Sequence, residues 1–126
     1  MRRGSDRGSA AVEFALVLPI LLMLALALVQ VGVIVRDDLV LIGSARAGAR
    51  QAAVAPDDGA VRDSVMAGAP GLDPSRLDVS IARTTRGGPV TVTVTYTAPE
   101  AVPFVGWLFP HQVTLRASSA MRQEFG

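Results

Sequence analysis

The hydrophobic pattern divides the chain into three parts. Residues 1–8 are polar and basic, with Arg2, Arg3 and Arg7 against Asp6. From Phe14 to Val35, a run of 22 residues, the only polar side chain is Gln30. At about 1.5 Å per residue such a helix spans about 33 Å, close to the ~30 Å hydrocarbon core of a bilayer. A soluble surface helix keeps one polar face; this one is apolar all round. The pattern therefore predicts a single membrane-spanning helix over 9–35. Pro19 lies inside it and leaves the carbonyl of Ala15 without its helical donor. A mild helix kink is the ordinary consequence, and a point of bending during assembly the sharper one.

Beyond Val35 the period changes. Leu39, Ile42, Ala45 and Ala49 continue an apolar stripe at helical spacing. Asp37 and Asp38 precede Arg46 and Arg50, an order that suits the dipole of a helical extension. Ser44, Gly48 and Ala52 lie four apart and form a flat face, for packing on the protein's own sheet or on a neighbouring helix. Pro56 ends the helix. Asp57 or Asp58 caps a second, short helix to about Ala69, with Val61, Val65 and Met66 inward. Pro70-Gly71 breaks it. Leu77, Val79 and Ile81 then alternate with Asp78, Ser80 and Ala82. After the Gly87-Gly88 turn, Val90, Val92, Val94 and Tyr96 alternate with threonines. Val113, Leu115, Ala117 and Met121 share one face of a third strand. The expectation is an α+β protein: a transmembrane helix extending into a domain at 36–126 with a three-stranded antiparallel sheet.

Composition narrows the chemistry. The chain has 126 residues, half of them hydrophobic but only 5% aromatic, so the excess is aliphatic. There is no cysteine, which removes disulfides, thiolate nucleophiles and Cys-type zinc sites. His111 is the only histidine, so multi-histidine metal sites and two-histidine relays are absent too. A net charge of +1 gives no support to phosphate-driven nucleic-acid binding. Ser118 and Ser119 lack a histidine and acid at a recognisable spacing, and Gly87-Gly88 is too short to cradle phosphate. The residues thus support no enzyme and no cofactor.

Charge asymmetry sets the expected orientation. Three arginines precede the apolar run, while Arg36 after it is offset by Asp37 and Asp38, so the N-terminus is expected in the cytoplasm and 36–126 outside. Ala25-Leu26-Ala27 formally matches a signal-peptide cleavage pattern, but a cut there would leave the strongly apolar Leu28–Val35 at the new terminus.

Glu13 carries the most information. A carboxylate at the edge of a span is costly unless its side chain reaches the headgroups or finds a partner. Around it the chain reads Arg7-Gly8-Ser9-Ala10-Ala11-Val12-Glu13-Phe14-Ala15-Leu16-Val17-Leu18-Pro19. This stretch resembles the processing site of type IV prepilins, and most closely the start of TadE-like proteins. These are minor pilins or pseudopilins of tight-adherence, Flp-type pilus systems. Ser44–Ala52 resembles the family's Ala/Arg-rich helix continuation and Ala117–Arg122 its C-terminal strand. Glu13-Phe14 stands where major Flp pilins carry Glu-Tyr, which together with the larger exterior part favours the pseudopilin reading.

The resemblance implies a pilin-like domain and a basic leader, 1–8, removed by an inner-membrane prepilin peptidase between Gly8 and Ser9. Glu13 then becomes the fifth mature residue. Gly4 does not give that register. The resemblance also implies that Glu13 of one subunit neutralises the Ser9 amine of the next, lowering the cost of both charges in an apolar bundle. The implied partners are the membrane, the peptidase, other pilins and the pilus assembly machinery. The implied location is the inner membrane or, on incorporation, a surface pilus.

Pro99–Pro110 is unusually apolar and holds Phe104, Trp107, Leu108 and Phe109. It reads either as a lid on the open sheet face or as an exposed patch that contacts a partner or the membrane. The second choice underlies the alternative function: an unprocessed, single-pass, membrane-anchored binding module.

Overall fold

The computed structural model describes residues 3–99, 106–108 and 112–125. Helix α1, Arg3–Val54, is unbroken for 52 residues and passes through Pro19 without interruption. A segment of it is long and apolar enough to cross a membrane. Helix α2 is Asp58–Ala67. Strands β1 (Leu77–Arg83), β2 (Pro89–Ala98) and β3 (Val113–Arg122) form an antiparallel sheet in the order β1-β2-β3. The expected α+β class is thus found. Contacts within the chain separate two compact units, residues 1–33 with 100–111, and residues 34–99 with 112–126.

In the second unit the sheet follows the alternation of the sequence. Val90, Val92, Val94 and Tyr96 point to the buried face of β2, while its threonines are half-buried on the other. Val79 pairs across from Val94, and Ala117 lies opposite the same residue on β3. The β1–β2 turn needs Gly87 at φ +75°, a conformation that disfavours a side chain. Thr84 closes this turn by donating its hydroxyl to the Pro89 carbonyl at 2.7 Å.

The core joins these valines to α2 through Val61 and Val65, and to α1 through Leu41, Ala45, Ala49 and Ala52. The buried helical stripe contains Leu41 in place of the expected Leu39, which is exposed. Apolar character alone does not separate Leu39 from Leu41; only the phase set by Ala45 and Ala49 does, and Leu41 is one turn before Ala45. The flat face of Ser44, Gly48 and Ala52 packs inside this unit. A methyl group on Gly48 would lie 2.5 Å from Val65 Cγ2 and 3.1 Å from Val92 Cγ1. Ser44 is fully buried and donates its hydroxyl to the Leu41 carbonyl at 2.7 Å.

Asp57, not Asp58, caps α2, accepting from the Gly59 amide at 2.9 Å. The helix ends at Ala67, and Met66 is exposed rather than inward. Val61 and Val65 already fill the face toward the core, and Met66 is turned about 100° from Val65.

Candidate membrane and processing segment

The residues singled out for processing all lie in the first turns of α1. Gly8, Ser9, Glu13 and Phe14 are exposed helical residues. Ser9 and Glu13 are four apart, hence one turn apart on the same face. A methyl group added at Gly8 would meet no atom within 4 Å, so nothing in the fold requires a glycine there. Glu13 forms no ion pair among the described residues.

The apolar run is uncovered over most of its length. Thirteen large apolar side chains between Val12 and Val35 are exposed. Burying such a side chain is worth about 1.5–3 kcal/mol. Leaving this set in water would cost on the order of 20–40 kcal/mol, more than the ~5–15 kcal/mol stability of a typical domain. Such a helix needs lipid or other apolar helices around it.

The Asp37-Asp38 pair lies inside the continuous α1, at the beginning of the expected helical extension. Because α1 is continuous, no helix N-terminus exists at that position. Asp37 is instead buried beside Arg36, with Nη1 of the arginine 3.3 Å from its Oδ1. Burial pushes the Asp37 carboxyl above its ordinary range, and the adjacent guanidinium partly opposes this. Arg36 also lies against the Pro70-Gly71 break. A methyl group on Gly71 (φ +80°) would stand 2.6 Å from Arg36 Nη2.

The C-terminal end of α1 is held by residues that no local pattern marks. Its last turn carries no basic residue. Arg83, at the end of β1, donates Nη1 to the Ala52 carbonyl at 2.9 Å and Nη2 to the Ala55 carbonyl at 3.2 Å. The same Nη2 reaches Asp58 at 3.0 Å, and the guanidinium lies 5.8 Å from the centre of the Phe125 ring. The Glu124 amide donates to the Ala53 carbonyl at 2.8 Å. These contacts join segments 25 to 71 residues apart, beyond the reach of a capping motif. The sole local hint was the missing cation in the last turn of the helix.

Trp107 and Leu108, in the short 3-10 turn Gly106–Leu108, are exposed. That turn falls in the unit containing residues 1–33. Phe104, Phe109 and His111 lie outside the described residues. No group of three or more metal-ligating side chains occurs among the described residues.

A single long, apolar N-terminal helix followed by a small antiparallel sheet suggests single-pass membrane anchoring of an α+β protein. Its N-terminal region is similar to TadE-like proteins: the model of that family matches residues 8–50. The match begins at the glycine of the expected cleavage site and ends within the buried part of α1. Ala117–Arg122, also noted for its resemblance, lies outside the matched residues. No curated protein and no solved structure matches the chain.

Proposed function

We propose that the chain is a minor pilin or pseudopilin of a tight-adherence, Flp-type pilus, processed by prepilin peptidase after Gly8. The observation that carries this reading is the family match starting at Gly8, with Glu13 placed five residues on and an uncovered apolar helix behind it. The role is structural rather than catalytic. The leader, 1–8, lies in the cytoplasm and 36–126 on the far side of the inner membrane, as the arginine asymmetry favours.

Cleavage breaks the Gly8–Ser9 peptide bond with water, releasing a peptide that carries Arg2, Arg3 and Arg7. It leaves an ammonium on Ser9 one helical turn from Glu13. In a bundle of apolar helices an unpaired charge is costly, so the Ser9 ammonium of one subunit and the Glu13 carboxylate of another attract each other. The surrounding exposed leucines and valines supply helix–helix packing without directional demands.

Substitution in the native host tests the reading. Gly8→Ala meets no steric obstacle in the fold. Its expected result is an unprocessed chain that still inserts in the membrane. Glu13→Ala is expected to insert as well, with pilus assembly lost. Normal processing and piliation in both variants would refute the proposal.

A further inference from the structure

The membrane-spanning part of α1 is uncovered on every side except one. Met23, Leu26, Ala27, Gln30 and Val33 are the residues between 4 and 33 with reduced exposure. At 100° per residue they fall within one arc of about 120°, a single face of the helix. Gln30 lies at its centre and is only 6% exposed. Its Oε1 has no hydrogen-bond partner among the described residues. The compact unit to which this face belongs contains one other stretch of chain, 100–111, and the described part of that stretch is the Gly106–Leu108 turn.

The chemistry of the turn differs from that of an ordinary exposed loop. From Ala101 to Pro110 the sequence has no charged side chain, and Glu100 and His111 bracket it. Trp107 is 71% exposed and Leu108 about half exposed. In water, two such neighbours would be an unfavourable apolar patch. Beside a membrane helix they meet lipid. Indole suits the boundary in particular, as tryptophan is enriched at the level of the lipid headgroups.

We propose that the Gly106–Leu108 turn is a second membrane contact, dipping into the extracytoplasmic leaflet beside α1 with Trp107 at the headgroup–acyl boundary. The occupant of this surface is lipid. The covered face lies in the second half of the span, 23–33, which the proposed orientation places in that leaflet. This inference rests on the membrane-anchored reading of α1, not on cleavage at Gly8.

Trp107 is the only tryptophan in the chain, so its emission reports this turn alone. The full chain is reconstituted into phosphatidylcholine vesicles, and association is established by flotation. Emission is then compared in vesicles of ordinary lipid and of lipids brominated near the headgroup or near the chain end. The proposal predicts blue-shifted emission, weak quenching by aqueous iodide, and loss of emission to the brominated lipids, greater for bromine near the headgroup. Floating protein with water-like emission, quenched by iodide and not by bromine, would overturn the second contact while leaving the anchor intact. Emission shielded from both quenchers would also overturn it, and dependence of that shielding on protein density would identify a second copy as the occupant. Failure to float would overturn the anchor together with the turn.

Discussion

Gly48→Ala tests the packing of α1 against its own domain, and two opposing terms set its magnitude. Replacing a helical glycine by alanine ordinarily gains up to about 1 kcal/mol through reduced chain entropy. At position 48 the new methyl would lie 2.5 Å from Val65 Cγ2, 3.1 Å from Val92 Cγ1 and 3.7 Å from Val61 Cγ1. All three valines are fully buried, so none has free space to retreat into. Overpacking of this kind costs about 1–3 kcal/mol, and with two branched side chains in the way the upper half of that range applies. The net expectation is a loss of about 1–2 kcal/mol. For a domain of this size that lowers Tm by roughly 4–8 °C per kcal/mol. Gly43 supplies the control on the same helix, since it is exposed and a methyl there meets nothing within 4 Å. Gly43→Ala should raise Tm. Far-UV circular dichroism melts of the detergent-solubilised chain measure both. If Gly48→Ala is stabilised as Gly43→Ala is, the Ser44-Gly48-Ala52 face does not pack on α2 and β2, and the reasoning fails.

Other perturbations probe the remaining contacts. Arg83→Ala removes donors to the Ala52 and Ala55 carbonyls and to Asp58, and should cost about 1–3 kcal/mol in the same melts, with Arg83→Lys recovering only part because one ammonium cannot fork to all three. Asp57→Ala removes the cap of α2 and should cost about 1 kcal/mol; an unchanged melt would show that the cap is dispensable. Asp37 has a raised pKa in the fold, so the folded state holds its proton more tightly and its contribution to stability falls as pH rises from the ordinary 3.8 through the folded value. Asp37→Asn should therefore melt no lower than the parent at pH 7, with any advantage vanishing near pH 4; a clear loss at pH 7 would mean that the Arg36 pair outweighs burial. Asp73 has the opposite sign: hydrogen bonds from Ser75 lower its pKa, so its contribution is present above 3.8 and is lost as pH falls through the folded value.

The elements most visible in the sequence were those with an unmixed period. Val90 to Thr97 alternates without a break, and the strand, its inward face and its partners follow from that alternation. The membrane helix was visible for the same reason, as one long run of a single character. Legibility fell where two registers compete. Leu39 and Leu41 are both leucines on the same helix, and only the position of the core distinguishes them. Met66 beside Val65 poses the same ambiguity, decided by which residue reaches the sheet. The burial of Asp37 was not legible, because a carboxylate on a helical extension gives no local sign of which face meets the core. The Arg83 contacts were invisible because they depend on β1 ending beside the last turn of α1. At the N-terminus the situation reverses. The significance of Gly8 and Glu13 is legible in the residue order, while their exposed helical geometry alone would single out neither.

The most direct test of the central claim is the N-terminus of the protein isolated from its native host, read by intact mass and N-terminal peptide sequencing. The account predicts a chain that begins at Ser9. A chain that begins at Met1 would contradict it and leave an unprocessed membrane anchor, and one that begins at Leu28 would remove the anchor as well.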